Sequence, residues 1–141
     1  MRDMTEVLHD VDEMQNAECK MQNAEMQNVQ DRAFEFACRI VKLHRTLTRK
    51  GGTARRLAAQ LLDSGTSIGS NLEEAEAGQS KADFISKCRI ALKEARESRY
   101  WLRLFAATEL VPPKLLTSLI QEAHEIVAIL TTIVRKASRP T

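Results

Sequence analysis

Aromatic residues are scarce in this chain: one tryptophan, one tyrosine and four phenylalanines among 141 residues. Glycine (five) and proline (three) are too few and too unevenly placed to supply the repeated turns of a sandwich or barrel. Cysteine occurs three times, as Cys19, Cys38 and Cys88, far apart and in no metal-ligand spacing. An odd set of this kind fits reduced thiols in a cytoplasmic protein, two of them core-facing. No apolar run approaches the roughly 20 residues that cross a bilayer. The longest, residues 126–130, is a short stretch of a helical pattern. The N-terminus is acidic and polar without an apolar segment, which argues against a secretory signal.

Catalytic constellations are missing as well. His9, His44 and His124 lie on separate segments, with neither a His-Glu-x-x-His pair nor the Glu-x-x-His pairs of a di-iron bundle. Glu73, Glu74 and Glu76 cluster in sequence, but at a helix end they solvate and cap. The expectation is a protein that is not an enzyme and has no metal site and no cofactor.

What the chain does have is leucine, isoleucine and alanine at helical spacing, and a split charge. Residues 1–30 carry two basic against seven acidic side chains, a net −5; residues 31–141 carry 19 against 12, a net +7. The acidic leader holds an irregular repeat: Met14-Gln15-Asn16-Ala17-Glu18, Met21-Gln22-Asn23-Ala24-Glu25 and Met26-Gln27-Asn28-Val29-Gln30. No copy offers much apolar surface, so residues 1–30 read as a flexible or fraying helical leader. A sharper expectation makes it an acidic arm that competes with an anionic ligand for the basic body.

Residues 31–141 read as one all-α domain of four helices. The first is expected to start at Asp31 as N-cap and to stop at Gly51-Gly52, with Phe36, Ile40, Leu43 and Leu47 as its buried stripe. The second runs from about residue 53 to 77 around Leu57, Leu61, Ser64, Ile68, Leu72 and Ala75. Its middle, Ser64-Gly65-Thr66-Ser67-Ile68-Gly69-Ser70-Asn71, is poor in helix propensity, since each glycine costs about 1 kcal/mol relative to alanine. Gly65 and Gly69, one turn apart, would admit a close neighbouring helix, and Asn71 could bond across the core to set the register. The spacing matches no phosphate-binding glycine motif.

Ser80-Lys81-Ala82-Asp83 resembles a capping box and opens the third helix, which extends to about Thr108. Phe84, Cys88, Ala91, Ala95, Leu102 and Ala106 line its core face. About 120° round the helix runs a second stripe of Arg89, Lys93, Arg96, Tyr100 and Arg103. Pro112-Pro113 starts the fourth helix, whose apolar arc, from Leu116 to Val134 in sequence, is wide enough to suggest contact with another subunit. Short connections make consecutive helices antiparallel, giving an up-down-up-down bundle. That topology gathers Arg45, Arg49, Lys50, Arg55, Arg56, Arg99, Arg103 and Lys114 at one end. Glu73, Glu74, Glu76 and Asp83 lie at the other, partly offset by Arg135, Lys136 and Arg139.

The run from Gly52-Thr53-Ala54-Arg55-Arg56 through Asp63-Ser64-Gly65-Thr66-Ser67-Ile68-Gly69-Ser70-Asn71 resembles the four-helix-bundle proteins encoded in intervening sequences of bacterial large-subunit ribosomal RNA genes. Glu73-Glu74-Ala75, Ser80-Lys81-Ala82-Asp83-Phe84 and Lys93-Glu94-Ala95-Arg96-Glu97-Ser98-Arg99-Tyr100-Trp101-Leu102 carry the same resemblance, over about residues 32–137. Asp63 departs from it, standing where the family often has a basic residue. The resemblance implies a homopentameric ring of bundles. It also implies kinship in fold with the accessory variability protein of diversity-generating retroelements, which binds nucleic acid and a reverse transcriptase.

Two functional expectations follow. The first is an oligomer that binds nucleic acid, RNA foremost, through Arg45, Arg49, Lys50, Arg55, Arg56, Arg89, Lys93, Arg96 and Arg103, with Tyr100 stacking on an unpaired base. The second is an adaptor whose partner is a protein, such as a reverse transcriptase or a ribosome-associated factor, with Tyr100 and Trp101 as interface anchors.

Overall fold

The computed structural model describes the backbone of residues 3–140 and the side chains of residues 3–6 and 24–140. Four helices follow in order: α1 (Met4–Thr48), α2 (Gly52–Glu76), α3 (Lys81–Ala107) and α4 (Pro113–Ala137), with no strand among the described residues. Each helix packs on its neighbours in sequence, and α1 meets α4 over a lesser contact that closes the square.

Local chemistry sets most of the ends. Gly51 (φ 67°) and Gly52 (φ 57°) both adopt left-handed backbone at the α1–α2 turn, where a side chain would be strained. Ser80 Oγ accepts from the Asp83 amide at 3.1 Å and caps α3, with Asp83 in its positive first turn. Pro112 precedes α4 and Pro113 is its first residue. The end of α3 turns through Glu109 (φ 56°), with the Leu110 amide donating to Phe105 O at 3.0 Å.

The start of α1 differs from expectation. The helix does not begin at Asp31 but runs unbroken from Met4, capped by Asp3, whose side chain accepts from the Thr5 amide. Asp31 is an exposed mid-helix residue that accepts from Gln27 Nε2 at 3.0 Å. The reason lies in the third copy of the repeat: Met26 and Val29 are buried in the core, and Gln30 Nε2 reaches Leu72 O at 3.2 Å and Glu76 Oε2 at 2.9 Å. That copy belongs to the bundle and not to a separate leader. The first copy, most of the second (up to residue 23), His9 and Cys19 lie outside the described side chains. At 45 residues α1 is about 68 Å long, against about 40 Å for the others.

One continuous core fills the bundle, with Phe36, Ile40, Leu61, Leu72, Leu102 and Phe105 among its fully buried side chains. Gly65 faces Ile40 so closely that an added Cβ would sit 2.9 Å from Cγ1 and Cγ2; one at Gly69 would lie 3.7 Å from Ala33 Cβ. Helix α2 therefore approaches α1 through its glycines. Asn71 does not bond across the core: its Nδ2 donates to Ser67 O at 2.7 Å, within α2. The polar bridge is instead between Ser64 and Ser98, both buried, with hydroxyl oxygens 2.9 Å apart.

Helix α4 uses its broad stripe inside the chain. Leu116, Leu119, Ala123, Ile126, Val127, Leu130 and Ile133 are buried, and Ile120 and Val134 are half-buried against the same core. The width that suggests another subunit in the sequence is mostly consumed by packing on α3 and α1. Cys88 is buried, which pushes its thiol up to about 11, whereas Cys38 is exposed.

The α1–α4 edge is joined by polar rungs along its length. Glu25 pairs with Lys136 at 3.2 Å. Arg32 holds Glu122 in a two-pronged contact (Nε–Oε1 2.8 Å, Nη2–Oε2 2.9 Å) and meets Glu125 at 3.2 Å. Arg39 Nη2 donates to Ser118 Oγ at 2.9 Å, and Lys50 Nζ to Leu110 O at 3.3 Å. The Arg32 fork holds the Glu122 carboxyl below its ordinary range and raises the guanidinium above its own.

Candidate nucleic-acid interface

The two turns α1–α2 and α3–α4 lie at the same end of the bundle and bring six of the ten candidate side chains together. Arg45, Arg49 and Lys50 end α1, Arg55 and Arg56 begin α2, and Arg103 stands in the last turns of α3; all are exposed. Lys114 joins them from the first turn of α4. Among the described residues Glu109 is the one carboxylate in these turns, and the ion pairs formed, by Arg32, Lys87 and Lys136, include none of the seven cations. Gly52, Thr53, Arg55, Arg56 and Ala59 shape a shallow concavity on the α2 side. An open groove on the α3–α4 side is lined by Tyr100, Arg103, Leu104 and Ile120. Clustered unpaired guanidinium groups suit phosphate oxygens, because each presents a rigid fork of donors at every working pH.

The α3 stripe is only partly continuous with this end. Arg89, Lys93, Arg96, Tyr100 and Arg103 are all exposed, so they do share one outward face. The face extends about 21 Å, however, and Arg89 lies at the far end, where its Nη2 contacts Ser138 Oγ at 3.4 Å. Arg89 therefore does not belong to the cluster at the turns. Lys93 and Arg96 occupy the middle. Between them and the α2 arginines sits an acidic break: burial first, then the charges of Glu97 and Asp63, raises the Glu94 carboxyl above its ordinary range. Asp63 thus interrupts a basic track from α2 to α3.

Sequence reasoning passed over two features of the surface. Phe34 is exposed on α1 (67%) in a groove with Asp31, Glu35, Glu73 and Glu76, an acidic surface at the opposite end. Leu115 is exposed (64%) beside Lys114. Both sit just off the apolar periodicity that marks the core, which is the signal that could have found them. Among the described residues no three His, Cys, Asp or Glu side chains gather as a metal-binding group, and no helix is long and apolar enough to cross a membrane.

An all-α bundle with antiparallel neighbours, a charged axis and an exposed cationic end defines the class. Within it, the chain belongs to the 23S rRNA-intervening sequence protein family, whose profile matches residues 25–132. That match begins where Glu25 and Met26 enter the bundle. A solved structure of similar fold is the crystal structure of a protein with unknown function from the S23 ribosomal protein family of Bacteroides thetaiotaomicron VPI-5482. It is 42% identical, with a TM-score of 0.73 over 79% of this chain and 98% of that one. No curated protein matches the sequence.

Proposed function

We propose that this chain is a non-enzymatic, cytoplasmic homo-oligomer that binds nucleic acid, RNA foremost, through the cationic end of its bundle. The observation that carries the reading is the convergence of Arg45, Arg49, Lys50, Arg55, Arg56, Arg103 and Lys114 on two adjacent turns, with Glu109 as the nearby acid. Such a cluster neutralises phosphates and releases their counterions, which gives affinity without demanding a sequence. The family resemblance supports assembly as a homopentamer. In a ring each subunit repeats the same end, so weak phosphate contacts become multivalent on a long polyanion.

A second reading is an adaptor for a protein partner, a reverse transcriptase or ribosome-associated factor by that same resemblance. The exposed Phe34 among Asp31, Glu35, Glu73 and Glu76 favours it, because an aromatic ringed by carboxylates suits a basic polypeptide.

The test is fluorescence anisotropy with structured RNA, single-stranded DNA and duplex DNA over a range of salt, beside light scattering for subunit number. Tight binding that weakens steeply with salt, and is lost on combining Arg55→Glu with Arg96→Glu, is the expected result. Arg89→Glu, at the far end, should leave affinity within about threefold. An absence of binding at low salt would overturn the nucleic-acid reading and leave the adaptor.

A further inference from the structure

Tyr100 is 55% exposed on the outward face of α3, at the lip of the α3–α4 groove. Its ring meets the Trp101 indole edge-on, centroids 5.1 Å apart and planes at 72°. Trp101 is itself half-buried against the core, and its Nε1 donates to Glu97 Oε1 at 3.4 Å. The tyrosine ring thus has one placed neighbour while about half of the side chain stays open to solvent. The groove beside it is floored by Leu104, Ala106, Ala107 and Ile120, with Arg103 as its charged member and no carboxylate in its lining. Arg96 precedes Tyr100 by four residues and Arg103 follows it by three, so an exposed guanidinium stands one turn away on either side.

From this placement we infer that Tyr100 and the α3–α4 groove form a subsite for an unpaired nucleobase whose flanking phosphates rest on Arg96 and Arg103. The inference rests on the nucleic-acid reading above and narrows its ligand to single-stranded segments. A paired, stacked base offers no free face to a tyrosine, whereas an unpaired base in a loop or single strand does. The apolar floor takes the base plane and the two cations take the phosphates; the groove lining holds no acid, and Glu97, one turn back on α3, is turned to Trp101 Nε1. RNA and single-stranded DNA share this chemistry.

Trp101 is the one tryptophan of the chain and touches Tyr100, so its emission reports directly on the subsite. The full chain is titrated at low salt with short single strands of rA, rU and dT and with an RNA duplex of equal length, following both Trp101 emission and the anisotropy of labelled strands. Single strands are expected to quench Trp101 while the duplex binds without quenching; rU against dT separates RNA from DNA. Tyr100→Leu is expected to weaken single strands by roughly 5- to 100-fold and leave the duplex unchanged, with Tyr100→Phe retaining wild-type affinity. Equal binding of single strand and duplex, unmoved by Tyr100→Leu and without quenching, would overturn the subsite and leave the nucleic-acid reading standing. Failure of every nucleic acid to bind would remove both. A fall in subunit number for Tyr100→Leu, with no quenching in the wild type, would assign the ring to a contact between copies and overturn the inference.

Discussion

The hydroxyl oxygens of Ser64 and Ser98 lie 2.9 Å apart in the middle of the bundle, each on a fully buried side chain. Ser98 also lies 2.9 Å from Glu94 O, and Ser64 3.3 Å from Leu61 O, so each hydroxyl has a carbonyl of its own helix as well. Removing one hydroxyl leaves the other with an acceptor. Ser64→Ala and Ser98→Ala are therefore each expected to cost about 1 kcal/mol, and the double variant little more than either alone. Ser98→Leu, which has no room, should cost about 2–3 kcal/mol. Urea unfolding of the four variants measures all of these.

The two glycines in the middle of α2, Gly65 and Gly69, should respond in opposite directions. Gly65→Ala gains helix propensity of about 1 kcal/mol but drives a Cβ to 2.9 Å from two carbons of Ile40, which is branched and fully buried. The clash is expected to win, with a net loss of about 1–2 kcal/mol. Gly69→Ala meets Ala33 at an ordinary 3.7 Å and should stabilise by up to about 1 kcal/mol. Thermal melts of the pair separate close helix approach from mere small-residue composition.

Acid should loosen the molecule partly through Glu122. Its folded carboxyl lies below the ordinary 4.5 because of the Arg32 fork, so its contribution is complete above that value. As pH falls through the depressed folded value, Glu122 protonates in the native state too and the contribution is lost. Glu122→Gln should cost about 1–2 kcal/mol at neutral pH and flatten the fall below about pH 4.5. Glu94 carries the opposite sign. Burial raises its carboxyl, so ionised Glu94 opposes folding as pH rises, and Glu94→Gln should gain a few tenths of a kcal/mol at pH 7. Denaturant midpoints between pH 3 and pH 8 report both slopes.

Truncation should reveal where the bundle begins. Deleting residues 1–23 leaves Met26, Val29, Gln30 and the Glu25–Lys136 pair in place, and cooperative unfolding is expected to persist with a similar midpoint. Deleting residues 1–30 strips two buried side chains worth about 1.5–3 kcal/mol each and should lower the midpoint by 10 °C or more at about 4–8 °C per kcal/mol. Calorimetry of the two forms makes the comparison. It also decides which truncation can test the acidic-arm idea through nucleic-acid affinity.

Much of this architecture was legible because local chemistry and topology coincide. Ser80 with Asp83, Pro112-Pro113 and Gly51-Gly52 mark helix ends by capping and backbone restriction alone, and short turns then dictate which termini share an end. The start of α1 was not legible. Asp31 looks like a cap in isolation, but continuing the helix upstream buries Met26 and Val29, and that gain exists only once α2 to α4 are in place. The expectation for Asn71 fails for a related reason. Which polar group bridges the core depends on facing helices, and a single helical wheel cannot rank Asn71 against Ser64. Of the candidate site, the turn cluster was readable from connectivity, and helical rise alone puts Arg89 about 21 Å from Arg103, whereas the Arg89 contact with Ser138 at the far end needed the facing chain.

The edge between α1 and α4, bridged by Arg32 and its companion rungs, gives the bundle a mechanical character. Its hairpins, α1 with α2 and α3 with α4, are two covers; the α2–α3 contact through Ser64 and Ser98 is the spine. Charged clasps along the fore-edge weaken with salt and acid, while an uncharged, buried spine does not. The molecule should open like a book, so amide protons along the α1–α4 edge would exchange before those flanking the serine pair.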